Sequence, residues 1–394
     1  MNKNMLDLNE SILTMIHEYV VHNINRYGKP SFEEDIHNYV FDNIIMLIYV
    51  ESLWAKIKDN INFYFNTIGI RRSYPKSSIV IQIDKVEMKK KLEDLRKMPQ
   101  PAQKEPEWYK FRWNMLTASS IWKALGTISS QNQLIYQKCL PLDISKYTRV
   151  NVKSTFHHGH KYEPMTTAVY EKKYNTIVSE WGCIQHQTHK FIGASPDGIN
   201  IKEDNPRYGR LIEVKNIVNR NITGIPKEDY WIQTQIQMEV CDLDECDFVE
   251  TRFIEYECED DFMKDGTFEK TADDKLKGII VNFYDGKEPK YIYSPLGLNK
   301  EEYEKWYEEC MEKYETLTWV NNIYWKLDEF SCILIPRNRA WFQSVCQKFK
   351  EIWDIVLYER EHGYDHRKPK KRKAKKKNEI VVIKTEPFVT TQLV

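Results

Sequence analysis

The sequence predicts an α/β protein with a helical extension before its core and a helical region after it. From Trp108 to about Glu257, runs with helical spacing alternate with strand-like runs. Hydrophobic residues make up 41% of the 394 positions, enough for a substantial core. Upstream, residues 6 to about 67 repeat apolar positions at helical spacing, as in Ile12, Met15, Ile16, Tyr19 and Val20, then Val40, Ile44, Leu47 and Ile48.

In chain order, this first stretch reads as two or three amphipathic helices. A short β-like run from Ile79 to Ile83 and a charged helix follow, and a Pro-rich link from Pro99 to Pro106 marks a domain boundary. "WYKFRWNMLTASSIWKALG" reads as a helix, a Thr-Ala-Ser turn suited to an N-cap, and a second helix closed by Gly126. In "GHKYEPMTTAVYEKKYN", Tyr162, Met165, Val169 and Tyr170 form one helical stripe. "KFIGASPDGINI" and "RLIEVKNI" read as paired strands around a polar loop, and "DYWIQTQIQMEVCDL" as a helix with Ile232, Ile236 and Val240 on one face. "CDFVETRFIEYE" closes the sheet. The expected organisation is a helical domain at 1–98, a linker at 99–107, the α/β core at 108–258, a helical aromatic-rich part at 259–366, in which "YWKLDEFSCILIPRNRAWFQSVCQKFKEIWDIVLYE" suggests a strand or turn and then a long helix, and a disordered basic tail at 367–394.

The formal net charge is zero, but "RKPKKRKAKKK" (Arg367 to Lys377) concentrates nine of the 58 basic residues, leaving an acidic body with a basic tail. The eight cysteines form no Cys-x-x-Cys pair, and the first residues lack a basic end and an apolar run, so a reducing intracellular compartment is expected, not secretion. No apolar stretch approaches the roughly 20 residues of a membrane span, so no membrane partner is expected.

Within "GASPDGINIKEDNPRYGRLIEVKN" three charges stand among apolar residues. Glu213 and Lys215, two apart in a strand, point the same way, and hairpin pairing brings Asp197 beside them. One lysine neutralises only one of two neighbouring carboxylates. A hard divalent ion, Mg²⁺ or Mn²⁺, is the natural compensator, and a lysine beside metal-bound carboxylates suits phosphodiester hydrolysis. The competing reading is a salt-bridged strand pair on a solvated face. Glu163, at the start of an upstream helix, is either a third ligand or an exposed first-turn acid. Gln233 and Gln235 are either site residues or ordinary surface amides.

Taken in order, "EWYKFRWNMLTASS", "GHKYEP", "GASPDG", "LIEVKN" and "YWIQTQIQMEV" resemble the YqaJ-type viral recombinase family, which includes the lambda exonuclease and belongs to the PD-(D/E)XK nuclease superfamily. The resemblance covers roughly residues 105 to 257 and implies a restriction-endonuclease-like core, a mixed sheet flanked by helices. It implies that Glu163, Asp197, Glu213 and the Val214 carbonyl hold one or two divalent ions, that Lys215 assists the attacking water, and that Gln233 positions water or the lysine. Arg112, Thr117, Ser119 and Ser195 match a pocket for the 5′-phosphate of a duplex end. The implied activity is a metal-dependent exonuclease on linear double-stranded DNA, resecting from a 5′ end to leave a 3′ tail for viral recombination or repair. A flap or branch endonuclease and a non-catalytic DNA-end adaptor are the alternatives. Implied partners are DNA ends, a single-strand annealing recombinase or single-stranded DNA-binding protein, and further copies in a trimer. Asn216-Ile217 departs from the Cys-Pro that often follows the family lysine.

Other signals carry less. His157, His158 and His160, with Cys183, His186 and His189, lack the paired spacing of a zinc site. The chain shows no four-cysteine set for an iron–sulfur cluster. Lys370, Lys371, Arg372 and Lys373 serve equally as DNA phosphate contacts or as a nuclear-import signal, so the expected location is the host nucleus or a cytoplasmic viral replication site. "IKTE" weakly resembles a modifier-acceptor pattern, and the Ile, Asn, Lys and Tyr abundance fits an AT-rich viral genome.

Overall fold

The apolar stripes of the first third fold as helices α1 (Lys3–His22), α2 (Phe32–Ile45) and α3 (Leu53–Thr67). The computed structural model describes residues 3–45, 52–75, 84–101, 105–144, 152 and 154–369; the stripe positions Leu47 and Ile48, the strand expected at Ile79 to Ile83 and the basic cluster Lys370 to Lys373 lie outside them. Helix α4 (Lys85–Lys97) begins where the Asp84 carboxylate accepts from the backbone N–H groups of Val86 and Glu87. The link after it is tied down, since the Gln100 side chain donates to Leu95 O and accepts from Gly182 N.

Helix α5 (Pro106–Trp113) starts on a proline, which suits the first helical turn. Strand β1 (Leu116–Thr117) and helix α6 (Ala118–Ile121) follow; the second helix expected here is broken, continuing only as a 3-10 turn at Trp122–Ala124. Helix α7 (Ile128–Cys139) is N-capped by Thr127, and α8 (Thr155–Tyr174) by Ser154. The expected α8 stripe of Tyr162, Met165, Val169 and Tyr170 is buried as one face.

Short strands β2 (Val178–Ser179), β3 (Ile184–Gln185), β4 (Ile192–Ala194) and β5 (Gly198–Asn200) lead to β6 (Leu211–Asn216), α9 (Glu228–Cys241) and β7 (Glu245–Glu255). The single strand expected across "KFIGASPDGINI" is two. It breaks at Ser195-Pro196-Asp197, where proline cannot donate to a ladder, and the halves join different sheets. One sheet has the order β1-β4-β3. The other, mixed sheet runs β2-β5-β6-β7-β10-β8-β9, with β6 and β7 parallel.

Residues 259–366 are not wholly helical. Besides α10 (Glu259–Lys264), α11 (Lys300–Lys313) and α12 (Arg339–His362), they supply β8 (Lys277–Tyr284), β9 (Pro289–Tyr293) and the 19-residue β10 (Thr318–Pro336). Strand β10 pairs with β7 over one half and β8 over the other, so β7 is central in the sheet and does not close it. Tyr, Trp, Phe, Ile and Val, which recur in these runs, are strand-favouring residues in their own right.

The N-terminal helices share one hydrophobic core with the α/β part. Ile12, Phe32 and Phe65 belong to the same buried cluster as Trp231, Ile236 and Trp341. Tyr27 lies 6.2 Å from Trp231, and the Arg72 guanidinium donates to Gly28 O and Pro226 O. Arg367, the first residue of the expected tail, is clamped on the Glu359 carboxylate at 2.5 to 2.7 Å.

Candidate active site

Strand β6 carries the site on one face and its anchor on the other. Ile212 and Val214 face α8, packing with Tyr170 and Val249, while Glu213 and Lys215 face α9. The β5–β6 register pairs Gly198 with Ile212, so Asp197, one residue earlier, falls opposite Glu213. There Asp197 Oδ2 accepts from Val214 N at 2.7 Å. Both glycines of "GASPDG" are steric necessities: a Cβ on Gly193 would collide with Met115 Sδ, and one on Gly198 with the Val178 side chain.

Glu213 is fully buried and takes three donors. Its Oε1 accepts from the Lys215 ammonium and from Gln233 Nε2 at 2.7 Å, and its Oε2 from Gln237 Nε2 at 2.6 Å. Gln233 and Gln237 are one helical turn apart on α9, so one helix face grips both oxygens. The sequence reading missed Gln237; its signal was the four-residue spacing from Gln233. Gln235 lies on another face, where it bonds Pro336 O and Asn338 N. Helix α9 is buried on nearly every side, not only along Ile232, Ile236 and Val240, because β4, β7, α6 and α12 surround it.

Desolvation by the surrounding protein, then the charges of Glu213 and Glu163, raises the Asp197 carboxyl well above its ordinary value against the opposing pull of Lys215. Burial alone would lower the Lys215 ammonium, but Glu213 and Asp197 outweigh it and raise it. Glu163 comes from α8, beyond the other face of β6, with its carboxylate 3.6 Å from His160 Nδ1. Pro164 has no N–H, so the turn bearing Glu163 lacks one helical bond. Asn216 ties that helix to β6: it donates to Gly159 O at 2.8 Å and accepts from Thr166 and Thr251 hydroxyls at 2.7 Å. The residue that departs from the Cys-Pro pattern is therefore a structural bolt.

The donor set of carboxylate and backbone carbonyl oxygens fits a hard divalent ion. Among the described residues, however, no three His, Cys, Asp or Glu side chains are gathered at ligand spacing, and it is the Lys215 ammonium that neutralises Glu213. Two of the histidines set aside as a zinc site are engaged elsewhere. His157 meets the Tyr291 hydroxyl, and His186 Nδ1 accepts from the backbone N–H groups of Thr188 and His189.

Strands β1 and β4 are parallel, pairing Thr117 with Gly193, so the residues just after each strand emerge at the same end of the small sheet. Arg112 Nη1 donates to Ser195 Oγ at 3.2 Å, and its guanidinium lies 4.3 Å from the Trp108 ring centroid. Ser119 is exposed at this end, whereas Thr117 turns inward to the Ser120 hydroxyl at 3.0 Å. Helix α6 is four residues long, so its dipole adds little anion attraction. A cation absent from the sequence reading adjoins the group: Lys138 Nζ donates to Arg112 O at 2.7 Å. Burial, reinforced by Arg112 and Arg360, pulls that ammonium down to about 7. Gln237 joins the two halves, since it also donates to Ser195 O at 3.4 Å.

Residues 107–244 match the YqaJ-like viral recombinase domain. Asp197, Glu213, Lys215, Gln233 and Gln237 all fall within that domain, as do Arg112, Ser119, Glu163 and Ser195. An uncharacterized protein of Acanthamoeba polyphaga mimivirus is 32% identical over 341 residues, which is 76% of this chain and 60% of the relative. Two structures of an alkaline exonuclease from Laribacter hongkongensis, one in complex with dAMP, align at 20% identity with a TM-score of 0.39, covering 66% of this chain and 95% of theirs. Among the described residues, no helix is long and apolar enough to cross a membrane.

Proposed function

We propose that the YqaJ-like domain makes this chain a metal-dependent exonuclease on linear double-stranded DNA, cutting from 5′ ends and leaving 3′ single-stranded tails for viral recombination or repair. The observation that carries this reading is the two-part site: Asp197, Glu213 and Lys215 at one end, Arg112 and Ser195 at the other, joined through Gln237. Glu163, Asp197, Glu213 and the Val214 carbonyl would hold Mg²⁺ or Mn²⁺, which supplies Lewis acidity and a more acidic bound water.

The protein groups divide the remaining work. Arg112, with Ser195 and Ser119, binds the terminal 5′-phosphate; a guanidinium and hydroxyls suit a dianionic end. That anchor sets which phosphodiester reaches Glu213, and positioning of this kind supplies a large part of hydrolytic rate. The Lys215 ammonium donates to the attacking water or to a non-bridging oxygen of the scissile phosphate, stabilising charge as it develops. Gln233 and Gln237 keep the Glu213 carboxylate from rotating during the reaction.

The test is incubation with Mg²⁺ and end-labelled linear, nicked and closed-circular duplexes, alongside Lys215→Ala. Mononucleotide release from linear 5′-phosphorylated ends, reduced about a hundredfold or more in Lys215→Ala, is the expected outcome. Cutting of closed circles or internal flaps would instead identify an endonuclease, and tight end binding without cleavage an adaptor. Full activity in Lys215→Ala would sink the mechanism.

A further inference from the structure

A second buried carboxylate adjoins Lys215 and has no part in the proposed chemistry. Strands β6 and β7 are parallel and in register at Lys215 and Glu250, so the two side chains leave the sheet on the same face, under α9. Glu250 is 1% exposed. Its Oε1 is held by Arg220, whereas its Oε2 has no hydrogen-bond partner. Tyr230 roofs the group, with the Lys215 ammonium 5.2 Å and the Arg220 guanidinium 5.7 Å from its ring centroid. Lys215 thus has a second buried carboxylate as its register neighbour on β7; Glu213 takes three donors, while Glu250 keeps one oxygen open.

This arrangement bears on how Glu213 could take a metal. Its Oε1 already accepts from Lys215 and Gln233, and its Oε2 from Gln237. A divalent cation on that carboxylate would repel an ammonium hydrogen-bonded to it. A buried oxygen without a donor is itself unfavourable, so a position beside Glu250 offers the displaced ammonium a compensated alternative. We propose that Glu250 is a positioning residue that receives the Lys215 ammonium when a divalent ion joins Glu213, so the lysine leaves the carboxylate without leaving the site. The inference rests on the metal-dependent reading above.

Isothermal titration of Mn²⁺ alone into the full chain tests it. Glu250→Gln should weaken Mn²⁺ binding about tenfold, the scale of one lost charge-assisted contact. Glu250→Asp keeps the charge and the Arg220 pairing but withdraws the acceptor, so it should weaken binding in the same direction. In a Lys215→Met background, neither change should matter, because no ammonium needs a destination. Equal losses with and without Lys215 would show that Glu250 acts only through its charge and would overturn the proposal, as would unchanged affinity in Glu250→Asp. In nuclease assays the Glu250 variants should lose kcat while KM for 5′-phosphorylated ends holds. Failure of the unmodified chain to bind Mn²⁺ would overturn the metal-dependent reading itself, a result distinguishable from either.

Discussion

The surroundings alter the chemistry of Asp197. Its carboxyl is raised well above 3.8, first by desolvation and then by Glu213 and Glu163. An acid whose folded-state pKa is raised binds more protons folded than unfolded, so stability falls as pH rises from the unfolded value toward the folded one. Without metal, the melting temperature should therefore decline as pH climbs above about 4. Asp197→Asn should flatten that decline, and added Mn²⁺ should reverse it at the upper end, both readable by thermal unfolding against pH. A slope unchanged in Asp197→Asn would assign it to another group. Asp197, Glu213 and Lys215 were legible in the sequence because charges in an apolar run are conspicuous. Glu250 was not, since nothing in "DFVETRF" sets it apart from Asp247 and Arg252, and it gains meaning only from its register with Lys215.

At the scale of elements, the site depends on one face of α9. Gln233 and Gln237 take separate oxygens of one buried carboxylate. Removing the Gln237 donor leaves a buried charged acceptor short of one bond, a loss of about 1–3 kcal/mol. Gln237→Leu should lower the unfolding free energy by that amount and cut kcat about tenfold or more, while Gln235→Leu should cost stability through Pro336 and Asn338 with less effect on kcat. Denaturant titration and single-turnover rates separate the two. Helical spacing puts residues 233 and 237 on one face. It could not say which face met the sheet, because a helix enclosed on nearly all sides has no polar side to mark its orientation. The connector between β5 and β6 was similarly opaque. Read as a polar loop, it buries Arg207 and Arg210 against Asp247, which also accepts from the Tyr170 hydroxyl at 2.6 Å.

For the whole molecule, the N-terminal helices are part of the core and not an appendage. A chain starting at residue 99, at the boundary that the Pro-rich link suggests, would strip Tyr27, Phe32, Phe65 and Arg72 from Trp231 and its surroundings. Such a truncation should lose cooperative unfolding and near-ultraviolet circular dichroism; a truncated chain that melts cooperatively would restore the two-domain reading. The sequence by itself determined the α/β alternation, the amphipathic stripes of α1 and α8, and the gathering of Asp197, Glu213 and Lys215 at one place, because each is written in local spacing or in charge set against an apolar background. Only the tertiary structure decided that β7 is central, that residues 277–336 extend the sheet, and that Gln237 and Glu250 meet the site. Those facts depend on which distant strands pair and which helix face is covered, and pairing between segments far apart in the chain leaves no periodic trace in either one.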